Sequence, residues 1–117
     1  MADSVIDRAA ADHYVWGSGC DGWHLLRAPE LSVIEESMPA GSSEVRHYHR
    51  HAEQFFYVLR GEASMEIGGA RVVLAAGQGI HIAAGTPHCI HNVSPAKVDF
   101  LVVSRPPSHG DRVTLTT

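Results

Sequence analysis

The sequence predicts an all-β chain, a sandwich or barrel of short strands, on three observations. Runs of four to eight residues rich in β-branched and aromatic side chains recur along most of the chain. Gly, Pro and Ser part these runs at intervals of about eight to twelve residues, the spacing of small β domains. Helical patterning is confined to one short segment at the start.

Residues 1–12 read as an N-terminal extension. Within it Ser4 and Asp7 resemble a capping box, and Val5, Ile6, Ala9 and Ala10 offer one apolar face. Either a very short helix or a frayed end is expected there. Strands are then expected over residues 23–27, 31–38, 44–49, 54–60, 63–67, 71–74, 79–82, 88–93 and 98–104. Gly68-Gly69 suits a two-residue hairpin that needs positive φ, and residues 39–41 and 84–87 are turn chemistry of the same kind. The Pro106-Pro107 pair opens a polar tail, residues 105–117, expected to leave the barrel and lie over its surface. With no internal repeat or linker, residues 1–117 read as a single domain, and 117 residues suffice for one core but not two.

Composition narrows the function. Hydrophobic residues at 44% against 19% charged exclude a disordered chain. A net charge of -4 offers no basic face, which argues against nucleic acid and anionic lipid as partners. No apolar run approaches the roughly 18 residues of a membrane span, and the first residues lack the apolar stretch of a secretory signal. Cys20 and Cys89 form neither a CxxC nor a disulfide-dense pattern, so a reducing cytoplasm is the expected location, with one disulfide left open. Nine histidines equal the nine Lys plus Arg, and their dispersal from His13 to His109 rules out a tag. Imidazole is the commonest side-chain metal ligand, so this excess asks for a reason, either metal binding or plain solvent exposure.

His47-Tyr48-His49 is the first specific signal. Residues i and i+2 of a strand share a face, with Cα atoms about 6.6 Å apart, so two imidazoles can converge on one ion. By itself the pattern also fits a solvated strand face.

The surroundings make it specific. The chain resembles the cupin family, whose first motif reads G-x5-H-x-H-x3or4-E-x6-G and whose second reads G-x5-P-x-G-x2-H-x3-N. Gly41, His47, His49 and Gly61 match the first; Gly77, Gly85, His88 and Asn92 match the second. The resemblance implies a double-stranded β-helix, or jelly-roll barrel, with His47, His49 and His88 turned inward as ligands of one divalent transition metal, whether Zn, Ni, Mn or Fe. It also favours a homodimer; independently, an open jelly roll leaves edge strands that need covering, for which the aromatic segment with Tyr14, Trp16 and Trp23 of a partner is a candidate.

Two positions depart from the family's pattern. Ala83 stands where proline is usual, and the acidic ligand's position, counted back from Gly61, holds Gln54, with Glu53 one residue earlier. Strand parity forbids both from facing inward without a bulge. The Gly61 spacing favours Gln54 as the fourth ligand, with Glu53 the alternative.

Other residues have simpler readings. Ile34, Glu36 and Met38 share a face, and an inward Glu36 is a candidate general base, whereas the opposite register leaves it in solvent. Arg46 and Tyr48 should face away from the ligands and support a sheet or subunit contact. His51 falls in a loop, Cys89 and His91 face away from His88, and His81 opposes Ile80 and Ile82. His13, His24 and His109 have no ligand-like spacing, and Phe56, Ile90, Phe100 and Val102 suit either core or pocket wall.

Three imidazoles and one amide would leave an ion its full charge and an open position, which favours Lewis-acid chemistry on a small polar molecule. Isomerisation, elimination and hydration belong to that class. Iron-dependent oxygen cleavage, a binding or sensing module without turnover, and a closed structural zinc site are the alternatives.

Overall fold

The computed structural model describes residues 5–115, of which no segment forms a helix. Eleven strands form among them: β1 (Asp12–Trp16), β2 (Cys20–Ala28), β3 (Leu31–Met38), β4 (His47–His49), β5 (Glu53–Arg60), β6 (Glu62–Ile67), β7 (Ala70–Ala75), β8 (Gly79–Ile82), β9 (His88–His91), β10 (Val98–Arg105) and β11 (Arg112–Thr114). They make two antiparallel sheets, ordered β1-β2-β3-β10-β5-β8 and β11-β4-β9-β6-β7. β10 lies between β3 and β5, and β9 between β4 and β6, so strands distant in sequence interleave in the manner of a jelly roll.

Alternation builds the core. On β5, Gln54, Phe56 and Val58 are buried while Phe55 and Tyr57 are exposed; on β3, Ile34 and Met38 turn inward. Met38, Phe56 and Val58 meet Met65, Ile90, Phe100 and Val102 between the sheets, and each fully buried side chain of this size contributes about 1.5–3 kcal/mol. The Gly68-Gly69 hairpin forms as expected between β6 and β7, with φ of 54° and 95°. Gly61 turns β5 into β6 at φ 87°, and a Cβ there would lie 2.6 Å from the Lys97 carbonyl oxygen, so no other residue fits without displacement.

The structure departs from the sequence reading at both ends. Of the two outcomes expected at the start, the helix does not form: the Asp7 carbonyl and carboxylate accept the Ala10 N–H in an isolated turn, while Val5 and Ile6 are exposed. Ser4, the expected cap, lies outside the described residues. β1, not foreseen as a strand, pairs with β2 of the same chain, so Tyr14 and Trp16 serve their own barrel. The tail does not merely lie over the surface; β11 pairs with β4 and completes the second sheet. The strand expected over 44–49 is regular only from His47, and the one over 88–93 ends at His91. Both thiols are free and buried. Among the described residues no helix is long and apolar enough to cross a membrane.

Candidate metal centre and its cavity

His47 and His49 share the inner face of β4, and β9 sets His88 directly opposite His47. The three ring centroids stand 4.5, 5.0 and 5.9 Å apart, and each ring offers a nitrogen within 4.8 Å of the others. All three are buried.

Backbone carbonyls fix two of the rings. His47 Nδ1 donates to the Val45 oxygen and His88 Nδ1 to the Thr86 oxygen, each at 2.8 Å and each two residues upstream. That pattern leaves Nε2 as the lone-pair nitrogen of both rings. His88 Nε2 is buried without a hydrogen-bond partner. Burial pulls the imidazoles down from 6.5, His47 to about 3 and His49 to about 4, and lowers His88 as well. At neutral pH all three are uncharged, the state in which imidazole coordinates a cation.

The register of β5 turns Gln54 inward and Glu53 outward. Gln54 is buried opposite Ser104, whose Oγ accepts its amide N–H at 3.1 Å, and its Oε1 has no partner. Glu53 lies on the outer face, bonded to Arg105 at 2.7 Å and His81 at 2.8 Å. An unpaired buried acceptor costs about 1–3 kcal/mol. Gln54 Oε1 and His88 Nε2 are two such atoms, and with two further imidazoles they make a donor set that fits a divalent ion.

A cavity of about 260 Å³ opens beside His47, His49 and Gln54. Phe56, Val102 and Ile34 give it apolar wall, whereas Ile90 and Phe100 belong to the core. Glu36 does face inward, and Tyr14 Oη donates to its Oε2 at 2.7 Å. Burial pushes the Glu36 carboxyl up from 4.5 to about 7, against the lowering effect of that hydrogen bond. Glu44 also lines the cavity and accepts the Ile90 N–H; burial, then the nearby Glu36 charge, pushes it up to about 8. Arg112 of β11 reaches the same space and depresses both carboxyls and all three imidazoles.

Sequence reasoning brought His47, His49, Gln54, His88 and Glu36 to one interior but missed Tyr14, Glu44, His109 and Arg112. Glu44 lies three residues before His47, and strict alternation would turn it outward. Because β4 becomes regular only at His47, the chain before it is free to turn Glu44 in. Elsewhere the expected faces hold: Arg46 pairs with Glu66 on the outer surface, His51 is exposed, and His81 points outward.

Comparison with known proteins supplies the family. The family described as Cupin domain matches residues 34–104, which include all eight motif positions. An uncharacterised protein of Methanocaldococcus jannaschii is 30% identical over 89 residues, 75% of this chain and 71% of that protein. Quercetin 2,3-dioxygenase of Bacillus subtilis is 34% identical over 90 residues, 72% of this chain but only 26% of the enzyme. Among solved structures, a predicted oxalate decarboxylase of Thermotoga maritima superposes with TM-score 0.81 at 22% identity, covering 89% of this chain and all of that one, a likeness of fold. The three-histidine interior, the two-sheet barrel and these matches agree: the chain belongs to the cupin family.

Proposed function

We propose that the protein is a metal-dependent enzyme that acts on a small polar metabolite by isomerase, lyase or hydratase chemistry, with His47, His49, His88 and Gln54 holding one divalent ion. One observation carries this reading: three buried neutral imidazoles converge beside a cavity that a buried, unpartnered Gln54 oxygen also lines. Bound there, a zinc, nickel, manganese or iron ion supplies Lewis acidity, which a neutral ligand set leaves undiminished.

The chain's own groups supply the rest. Glu36, with a carboxyl that titrates near neutrality, takes or returns a proton at Oε1 while Tyr14 Oη holds Oε2. Arg112 offers a cation at the cavity wall to a negatively charged part of the substrate. Phe56, Val102 and Trp16 exclude water from one side of the cavity.

The test is metal content of protein purified without added metal, beside His47→Ala, His88→Ala and Gln54→Ala. Metal content is expected to fall by about one equivalent per chain in both histidine variants, with affinity of the interior site down at least 10-fold in Gln54→Ala. Absence of metal after reconstitution overturns the reading.

Oxygen-dependent cleavage is the second reading, favoured by the match to quercetin 2,3-dioxygenase. Iron as the native metal together with oxygen uptake would select it. Metal binding without turnover of any oxygenated substrate would select a sensing module.

A homodimer completes the proposal. Leu26, Val33, Val103 and Phe55 form a cross-strand apolar row on the outer face of the six-stranded sheet, and Leu26 and Phe55 are 41% and 42% exposed. Sedimentation should give twice the chain mass; a monomer at micromolar concentration ends that idea.

A further inference from the structure

β9 carries chemistry on both faces. His88 turns into the barrel, while Cys89 and His91 share the opposite side, facing Glu66 and Ser64 of β6 in register. The Cys89 sulfur stands 3.0 Å from His91 Nε2, and Glu66 lies directly across from Cys89. A thiol, an imidazole and a carboxylate thus each offer a donor atom within 4.8 Å of the other two. We propose that Glu66, Cys89 and His91 form a second divalent-metal site, on the outer face of the five-stranded sheet and separate from the interior histidines.

The donor set selects the ion. One sulfur, one imidazole nitrogen and one carboxylate oxygen suit zinc, with a fourth position left to water. The HxH pair of β4 uses the same spacing, two residues apart on one strand, but there the third donor is again imidazole. Here a thiolate and a carboxylate bring two negative charges that neutralise a divalent ion, which a half-buried surface accepts more readily than an uncompensated one. Glu66 and His91 are half-buried, so the site opens to solvent although Cys89 itself is buried.

Two cations compete for the same carboxylate. Arg46 Nε stands 3.1 Å from Glu66 Oε1, and Arg71 is the cross-strand neighbour of Glu66 on β7. Metal entry therefore releases the Cys89 thiol proton to solvent and frees the Arg46 guanidinium from Glu66. Removing Arg46 should tighten the site, an effect that a plain Cys89–His91 hydrogen bond would not produce.

Cobalt(II) titration of the full chain, first stripped with chelator, tests the proposal. The interior site holds only nitrogen and oxygen donors, so a sulfur-to-cobalt charge-transfer band in the near ultraviolet reports the outer site alone. One equivalent of cobalt giving that band is expected, in the wild type and in His47→Ala/His49→Ala. Cys89→Ser should abolish it, Glu66→Gln and His91→Ala should weaken cobalt binding by roughly tenfold or more, and Arg46→Gln should tighten it. Glu66→Gln lies at a half-exposed position and guards against loss through misfolding. The proposal fails if wild type and Arg46→Gln both lack the band, if Cys89→Ser keeps it, or if Cys20→Ser removes it.

Discussion

Replacing Glu36 by Gln keeps the side chain's shape and its contact with Tyr14 while removing one titration, which makes the proton-holding role of Glu36 measurable. In the folded, metal-free protein burial raises the carboxyl from 4.5 to about 7. A carboxyl raised on folding binds its proton more tightly in the native state, so its contribution to stability is full below 4.5 and disappears as pH climbs through 7. Each unit is worth about 1.4 kcal/mol, so the wild type loses about 2.5 kcal/mol through this group between about pH 5 and pH 8.5. Gln cannot titrate, and apart from Glu44, whose carboxyl the Glu36 charge helps to raise, the titrating groups are common to both proteins. The stability difference between wild type and Glu36→Gln should therefore shift by about 2–3 kcal/mol in favour of the variant across that interval. Urea unfolding of stripped protein at the two pH values measures it. Metal should shrink the shift, because a cation in the same cavity stabilises the Glu36 carboxylate. A stability difference constant to within about 0.5 kcal/mol would refute the reasoning, because Glu36 would then experience the same environment folded and unfolded.

Two further changes separate holding the metal from holding the fold. Ser104→Ala removes the acceptor that orients the Gln54 amide, and calorimetric titration should show metal affinity reduced by roughly 10–100-fold with the His47 and His88 rings still fixed by their carbonyls. Asn92→Asp exchanges the amide donor that serves the Met38 and Ala96 carbonyls, at 3.0 and 2.8 Å, for an oxygen that repels them. Denaturant unfolding should show a loss of about 2–4 kcal/mol with metal stoichiometry unchanged.

Asn92 also illustrates what the sequence could and could not reveal. Its place in the second motif marked it without assigning a role; the structure shows a fully buried amide tying the end of β3 to the turn between β9 and β10. The convergence of the three histidines was legible because two of them lie two residues apart on one strand, with motif spacing identifying the third. The Gln54 register was only half legible, since both faces of β5 carry apolar side chains and parity alone has no preference. Ser104 and Ile82 on the flanking strands place Gln54 inside. Glu36 was open for a similar reason: adjacent Glu35 and Glu36 fit either register until Arg8 and Arg60 engage Glu35 on the outside. Of the two readings of the N-terminus the helical one is not taken, because an apolar face needs a surface to bury against and Val5 finds none.

The strand least visible in sequence is the one on which the site's order depends. β4 has three residues and carries two of the three interior histidines, and β9 pairs with it at a single position, His47 with His88. Left there, β4 would be an exposed edge bearing two buried imidazoles, a poor basis for fixed ring positions. β11 supplies the other side, with Arg112 opposite His49 and Thr114 opposite His47. Asp111, just before it, accepts the backbone N–H groups of Arg50, His51 and Ala52, which pins the chain as it leaves His49. Residues directly opposite in an antiparallel pair lie on one face, so the pairing that secures His49 also brings Arg112 to the cavity. None of this has a local signature: Asp111 and its three donors lie about sixty residues apart, and a three-residue strand after two prolines shows no alternation to read. The interior chemistry is written in two histidine motifs, but its rigidity comes from a tail whose partner is known only once the barrel has closed.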